Sequence, residues 1–296
     1  MMNIFKTFTI NIPLYCLIFL GFFKDKKTKG NVLAYYKNNP TTDTDINNAL
    51  NYIRNHPFYS ITSRIKTFPY PFSDKYIHKE IKMLKDDSNG LFYVMRNGKK
   101  LYFRRNITNK KAKILYNSLL IEQDKDSAHL YLTDEFDIAD GDILVDVGCA
   151  EAFLALDVIE KIKKVYLFEY EDEWIEALNY TFAPWKEKVE IVKKYATDHT
   201  GENDVSLDDF FINREMPGFI KIDVEGAELQ VLNGMKNMIE AKHPMKLVIC
   251  TYHRRDDYKN ITEHVLNAGL RFTTSNSHML FKIIPFFRKG LIRVVT

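Results

Sequence analysis

An open, mainly parallel α/β sheet covered by helices on both faces is the fold this sequence predicts, and three observations predict it. Short apolar runs near 143–147, 164–168, 188–193, 218–223 and 246–251 alternate with amphipathic stretches. A strand buried on both faces reads as a continuous apolar run, and strands that alternate with helices pair in parallel. The run ILVDV breaks at Gly148 and continues as CAEAFLAL, a strand turning sharply into a helix. Glycine gives such a turn its backbone freedom and lets a ligand approach the chain closely. The following run, VYLFEYE, ends in an acid, Glu169. A strand, a glycine turn, a helix and a second strand closed by an acid is the layout of a nucleotide-type site. The acid there accepts hydrogen bonds from ribose hydroxyls.

The turn is not a dinucleotide fingerprint. That would need glycine at 148, 150 and 153, where this chain has Gly148, Ala150 and Phe153. The pattern therefore argues against a pyrophosphate loop and suits a ligand without phosphates. Asp146 lies inside the first apolar run, where a carboxylate is costly unless something pairs with it.

The 296 residues suffice for one large domain or a domain with an addition. With 46% hydrophobic and 27% charged residues, a substantial core can be buried. A net charge of +3 without a basic arm argues against nucleic acid as a partner. Cys16, Cys149 and Cys250 are too few and too dispersed for a disulfide framework or a zinc knuckle, which points to a reducing, cytoplasmic compartment.

Along the chain, three parts are expected: an apolar segment over 1–30, a helical and β-hairpin cap over 31–126, and the sheet domain over 127–296. The run at 8–23 is followed by Lys24, Lys26, Lys27 and Lys29. It is short for a membrane span, and Asn11 and Pro13 interrupt it. Packing on the domain, lying on the inner membrane surface and spanning the bilayer all stay open as readings. Between 42 and 85, Ala49, Ile53, Phe58 and Ile61 mark short helices, with Asp43 or Asp45 as a cap. LFYVMRNGKKLYFRR predicts a hairpin of 91–95 with 100–104 around Asn97-Gly98. A helix is expected at 109–122, then a loop carrying His129. After the fifth run, a helix at 258–268 leads to strands at 270–274 and 279–283, antiparallel neighbours joined by SNSH. Five parallel strands ending in a reversed pair make the seven-stranded arrangement typical of methyltransferases. The tail FKIIPFFRKGLIRVVT, residues 281–296, resembles the N-terminal segment in character; two membrane-facing ends and two ends packed together on the domain both stay open as readings.

In such sheets the ligand binds at the carboxyl ends of the strands. Those ends carry Asp146–Ala150, Glu169, residues 195–198, Asp223–Glu228 and residues 252–254. FIKIDVEGAELQVLNG brings Asp223, Glu225 and Glu228 together. An acid in the first turn of a helix is favoured by the helix dipole, which accounts for Glu228 but not for Asp223 on the strand.

DVGCAEAFLAL, LFEYE, SLDDF and IKIDVEGAELQVLNG, in this order and spacing, resemble the FkbM-type methyltransferases over about residues 127–285. The resemblance implies a Rossmann-like methyltransferase sheet, S-adenosylmethionine as cofactor, and methylation of a hydroxyl on a sugar, glycan or related metabolite. It also implies that Asp146, Gly148, Cys149 and Ala150 border the methionine part of the cofactor and that Glu169, beside Tyr170, binds the ribose. Ala196 and Asp198 belong to the adenine loop, and Asp223 faces the methionine amine or the substrate. Ala152 stands where the family commonly has a second glycine.

Methyl transfer needs the acceptor oxygen aligned and its proton removed. His253, just past the fifth strand, is the expected base, with Asp223 as the alternative. His129, Glu225 and Arg254 are expected on the substrate side. No metal is expected: Asp208 and Asp209, with Asp223 and Glu225, could supply oxygen ligands, but Ser206 and LDDF read as a helix start. The competing reading is a non-catalytic protein of the same fold that serves in binding or assembly.

Overall fold

The structure, a computed structural model, describes residues 25–56, 67–77 and 79–296. The apolar run at 8–23, Phe58 and Ile61 lie outside the described residues. Helix α1 (Asp25–Asn38) leads to α2 (Thr44–Asn55), where Asp43 is the N-cap, its Oδ1 accepting from the Ile46 N–H at 3.0 Å. Helix α2 has one apolar face and buries Ala49, Leu50 and Ile53. Strands β1 (Leu84–Lys85), β2 (Phe92–Arg96) and β3 (Lys99–Tyr102) form a small antiparallel sheet. Asn97 and Gly98 both take positive φ, as a two-residue type I′ hairpin requires. Helix α3 (Asn109–Glu122) is capped by the Thr108 side chain.

The main sheet has seven strands: β4 (Ile143–Val147), β5 (Lys164–Phe168), β6 (Val189–Val192), β9 (Phe219–Ile222), β10 (Lys246–Cys250), β11 (Arg271–Thr274) and β14 (Leu291–Val295). Two short pairs stand outside it, β7 (Tyr195–Ala196) with β8 (Asp204–Val205) and β12 (Met279–Leu280) with β13 (Phe287–Arg288). Across the sheet the order is β11-β14-β10-β9-β4-β5-β6. Pairing is parallel from β10 through β6, and β14 runs antiparallel to both of its neighbours. Side chains alternate faces along each strand. Leu144, Val165, Phe219 and Val248 enter one core with the cap, α4 (Phe153–Val158) and α5 (Asp172–Thr181). Val145, Tyr166, Ile220 and Ile249 enter the other, covered by α6 (Leu207–Phe210), α7 (Glu228–Asn233), α8 (Lys236–Glu240) and α9 (Asp257–Asn267).

The five parallel runs and the helix near 258–268 form where expected, but the last strand does not. Residues 279–283 do not pair with β11. Met279–Leu280 turns back on β13 in a separate hairpin, and Leu291–Val295 inserts between β10 and β11. The reason is burial: four of the five residues in LIRVV are buried, as a strand in the body of a sheet must be, whereas Lys282, Ile283 and Ile284 are exposed. Leu291–Val294 are thus core, and the exposed residues of the tail are 282–284 and Val295.

The hairpin of the cap lies against α4 and α5. Arg96 meets Asp157 in a two-pronged ion pair at 2.6 and 2.5 Å and stacks 3.8 Å from the centre of the Phe153 ring. Tyr102 N–H donates to Thr181 Oγ1 at 3.0 Å. Both members of the Arg96 pair are largely shielded from water. Arg96→Ala should therefore lower stability by about 2 kcal/mol, and Arg96→Lys should restore less than half, because an ammonium cannot reproduce the fork. Urea unfolding of the three proteins measures this.

Candidate functional site

The carboxyl ends of β4, β5, β9 and β10 converge on one cluster. At the end of β4 the chain turns at Gly148, with φ of 70°. A side chain at that position would collide with the Asp223 carbonyl oxygen, so only glycine lets the turn sit against β9. Gly148 and Cys149 both donate backbone N–H groups to the Phe168 carbonyl, at 3.0 and 3.2 Å. Ala150 and Ala152 also take positive φ, 46° and 54°, a strained state for residues with a Cβ. Cys149 is buried with the core beside the cap, and burial pushes its thiol well up.

Asp146 is 1% exposed. Its carboxylate lies 2.9 Å from Lys221 Nζ, and Lys221 also donates to the Gly148 carbonyl at 2.8 Å. Burial alone would lower the Lys221 pKa, but Asp146 and Asp223 raise it above the ordinary lysine range. Sequence reasoning missed Lys221. Its signal was a lysine inside an otherwise apolar strand, opposite an aspartate that needed a partner.

Glu169 sits half-buried at the end of β5. It accepts backbone N–H groups from Ala150 at 3.0 Å, Tyr170 at 2.8 Å and Glu171 at 2.9 Å. Burial raises its pKa, and these three donors act against the rise. The Tyr170 ring stacks on Tyr195 with 4.2 Å between centroids, and Tyr195 is largely exposed. Ala196 is buried in β7, whereas Asp198 stands in the exposed loop beyond it, 3.0 Å from His199 Nδ1.

Asp223 closes β9 and is the centre of the site. Its Oδ2 accepts from Tyr131 Oη at 2.9 Å and lies 3.9 Å from His129 Nε2. Its Oδ1 lies 3.3 Å from His253 Nε2. Burial pushes the Asp223 carboxyl up, but Lys221, His253 and His129 outweigh it and hold the group well below the usual carboxylate range. His253 is gripped from the other side by Glu228, whose Oε1 is 2.8 Å from Nδ1. The same Glu228 oxygen accepts the Val224 and Gly226 N–H groups. Burial would lower the His253 pKa, but Glu228 and Asp223 raise it to about 8.

The fold therefore brings three predicted residues, His129, Asp223 and His253, into one constellation and adds Tyr131, Tyr252 and Glu228. His129 is buried, with Nε2 3.2 Å from Tyr252 Oη. Glu228 is 1% exposed and serves His253; it is not merely an acid in a first helical turn. Glu225 is exposed with φ of 58°, and Arg254 lies over Gly226 at the rim. Asp208 and Asp209 stand apart from Asp223. Asp208 accepts the Asn237 and Met238 N–H groups at the start of α8, and Ser206 caps α6 through Asp209 N–H.

The folded state holds a proton on His253 more tightly than the unfolded chain, in which histidine titrates near 6.5. The stability this lends is complete below about pH 6.5 and is lost as pH rises through about 8, a change of about 2 kcal/mol. Urea unfolding at pH 6 and pH 9 should show that loss, and His253→Gln should remove it.

Residues 80–280 match the family described as Methyltransferase FkbM domain. Among solved structures, the FkbM methyltransferase from Methylobacillus flagellatus KT aligns at 19% identity and a TM-score of 0.47, over 62% of this chain and 52% of that one. The chain thus spans about half the length of that structure. An rRNA methylase from Streptococcus thermophilus aligns at 15% identity and a TM-score of 0.35, over 53% of this chain and 87% of that one. A protein from Streptococcus mutans solved in complex with SAH aligns at 13% identity and a TM-score of 0.37, over 53% of this chain and 90% of that one. No curated protein matches the chain. The family match spans the Gly148 turn, Glu169, Asp223 and His253, and takes in more than half of the sequence. The chain belongs to the FkbM family of S-adenosylmethionine-dependent methyltransferases.

Proposed function

We propose that the protein transfers a methyl group from S-adenosylmethionine to a hydroxyl of a sugar, glycan or related metabolite. The observation that carries this reading is His253, held between Asp223 and Glu228 at the carboxyl end of β10, one strand removed from the β4 that leads into the Gly148 turn. The groups at the strand ends support the cofactor. Glu169 stands at the end of β5 already oriented by three N–H groups, and the half-exposed Tyr195 stacks on its neighbour Tyr170. Glu169 would hold the ribose hydroxyls, and the backbone of Gly148–Ala150 the methionine portion. Tyr170, Ala196 and Asp198 would border the adenine, and Asp223 the methionine amine or the acceptor. When bound, the cofactor supplies an activated methyl group and a neutral leaving group.

The chain's own task is to place the acceptor oxygen and take its proton. His253 Nε2, the nitrogen 3.3 Å from Asp223, takes that proton from an acceptor hydroxyl seated beside the carboxylate. Glu228 holds Nδ1–H and so orients the ring, and Asp223, ionised across the neutral range, stabilises the imidazolium that forms. The two carboxylates make His253 a stronger base than free histidine but keep it largely protonated at neutral pH. The competent form therefore grows as pH rises through about 8. His129, Tyr131 and Arg254 complete the acceptor side.

Calorimetry with S-adenosylmethionine should show binding that falls about tenfold or more in Glu169→Ala. A folded protein that binds no cofactor would move the reading to a non-catalytic binding or assembly role. With an acceptor in hand, kcat/KM should rise with pH around a midpoint near 8. Glu228→Gln should lower that midpoint by about one pH unit. His253→Asn should cut kcat by about 10²–10³ without changing cofactor affinity. A wild-type profile flat from pH 6 to 9 would remove His253 as the base.

A further inference from the structure

The hairpin of β12 and β13 projects a loop whose tip is Lys282-Ile283-Ile284. Ile283 is 65% exposed and Ile284 45%. Single exposed apolar residues are ordinary, but two adjacent isoleucines beside a lysine on a projecting loop mark a contact surface. Helix α1 packs on the base of the same hairpin: the Tyr35 ring lies 5.4 Å from Phe286 and the Tyr36 ring 5.6 Å from Phe287. Lys37, the next residue of α1, is exposed. The sequence that enters α1 is the apolar run 8–23 with Lys24, Lys26 and Lys27.

A loop tip of two exposed isoleucines beside the exposed Lys282, on a hairpin packed by the helix that the apolar, lysine-rich sequence 8–29 runs into, has the chemistry that an anionic bilayer surface recognises. Among the described residues no helix is long and apolar enough to cross a membrane, so contact at the surface is the mode these features serve. We infer that the β12–β13 tip is a docking element that inserts Ile283 and Ile284 into an anionic lipid surface. The hairpin is also tied to the candidate site. Arg288 Nη1 donates to the Tyr252 carbonyl at 2.8 Å, Phe281 stacks 5.8 Å from the Tyr252 ring, and Tyr252 adjoins His253.

Co-sedimentation of the full chain with vesicles tests this directly. Wild type should bind vesicles of phosphatidylglycerol and phosphatidylcholine more tightly than vesicles of phosphatidylcholine alone. The double variant Ile283→Ser, Ile284→Ser should bind the anionic vesicles at least about tenfold more weakly. An unchanged thermal midpoint would show that the variant is folded. As a second readout, the Ile283→Trp variant should gain a blue-shifted emission, absent from wild type, when anionic vesicles are added. Absence of wild-type binding, equal binding by the double variant, or no blue shift from vesicle-bound Ile283→Trp protein would each overturn the inference. The last two outcomes would assign lipid binding to residues 1–24.

Discussion

The ion pair of Asp146 with Lys221, buried between two central strands, is the contact on which the geometry of the site depends. The parallel register of β4 and β9 sets these residues opposite one another, and both are nearly inaccessible to water. Removing either partner would leave an uncompensated charge in the sheet, at a cost of about 3–5 kcal/mol. The pair does more than neutralise itself. Lys221 reaches on to the Gly148 carbonyl and so pins the turn that follows β4. It is also the first of the positive groups that keep Asp223 ionised despite its burial. One lysine thereby couples the shape of the turn to the charge of the cluster around His253.

Much of this architecture was legible in the sequence because it rests on local signals. Apolar runs reported the five parallel strands, Asn97-Gly98 reported the hairpin, and acids at run ends reported Glu169 and Asp223. What stayed hidden depends on pairing between distant segments. Glu228 reads locally as an acid favoured by a helix dipole, and only the return of β10 beside β9 brings His253 to it. His129 and Tyr131 reach Asp223 from a loop preceding the whole sheet, with no spacing rule that connects them. The last strand was misplaced for the same reason. LIRVV and the segment near 279–283 are both apolar, and which of them enters the sheet is settled by burial, not by local pattern.

The cap is attached by two kinds of contact of unequal weight. Arg105 with Glu176 and Arg104 with Glu171 and Glu173 involve exposed partners, and pairs of this kind contribute little to stability. Arg96 with Asp157, shielded and stacked on Phe153, together with the packing of Tyr116 against Phe153, fixes the docking. Phe153 opens the helix that the Gly148 turn leads into, immediately after the strained Ala152. The packing that holds the cap also braces the helix end of a turn whose positive-φ alanines carry a conformational cost of about 1–2 kcal/mol each.

The position of β14 has a consequence for how the chain is made. Synthesis delivers β10 and then β11, yet these strands do not touch in the sheet; the strand between them emerges later than both. Until residues 291–295 leave the ribosome, β10 presents an open apolar edge beside the forming site, and β11 has no ladder to join. The sheet therefore closes only when β14 inserts between two strands made before it. Until then the nascent protein carries an unpaired strand for which chaperones and wrong partners compete.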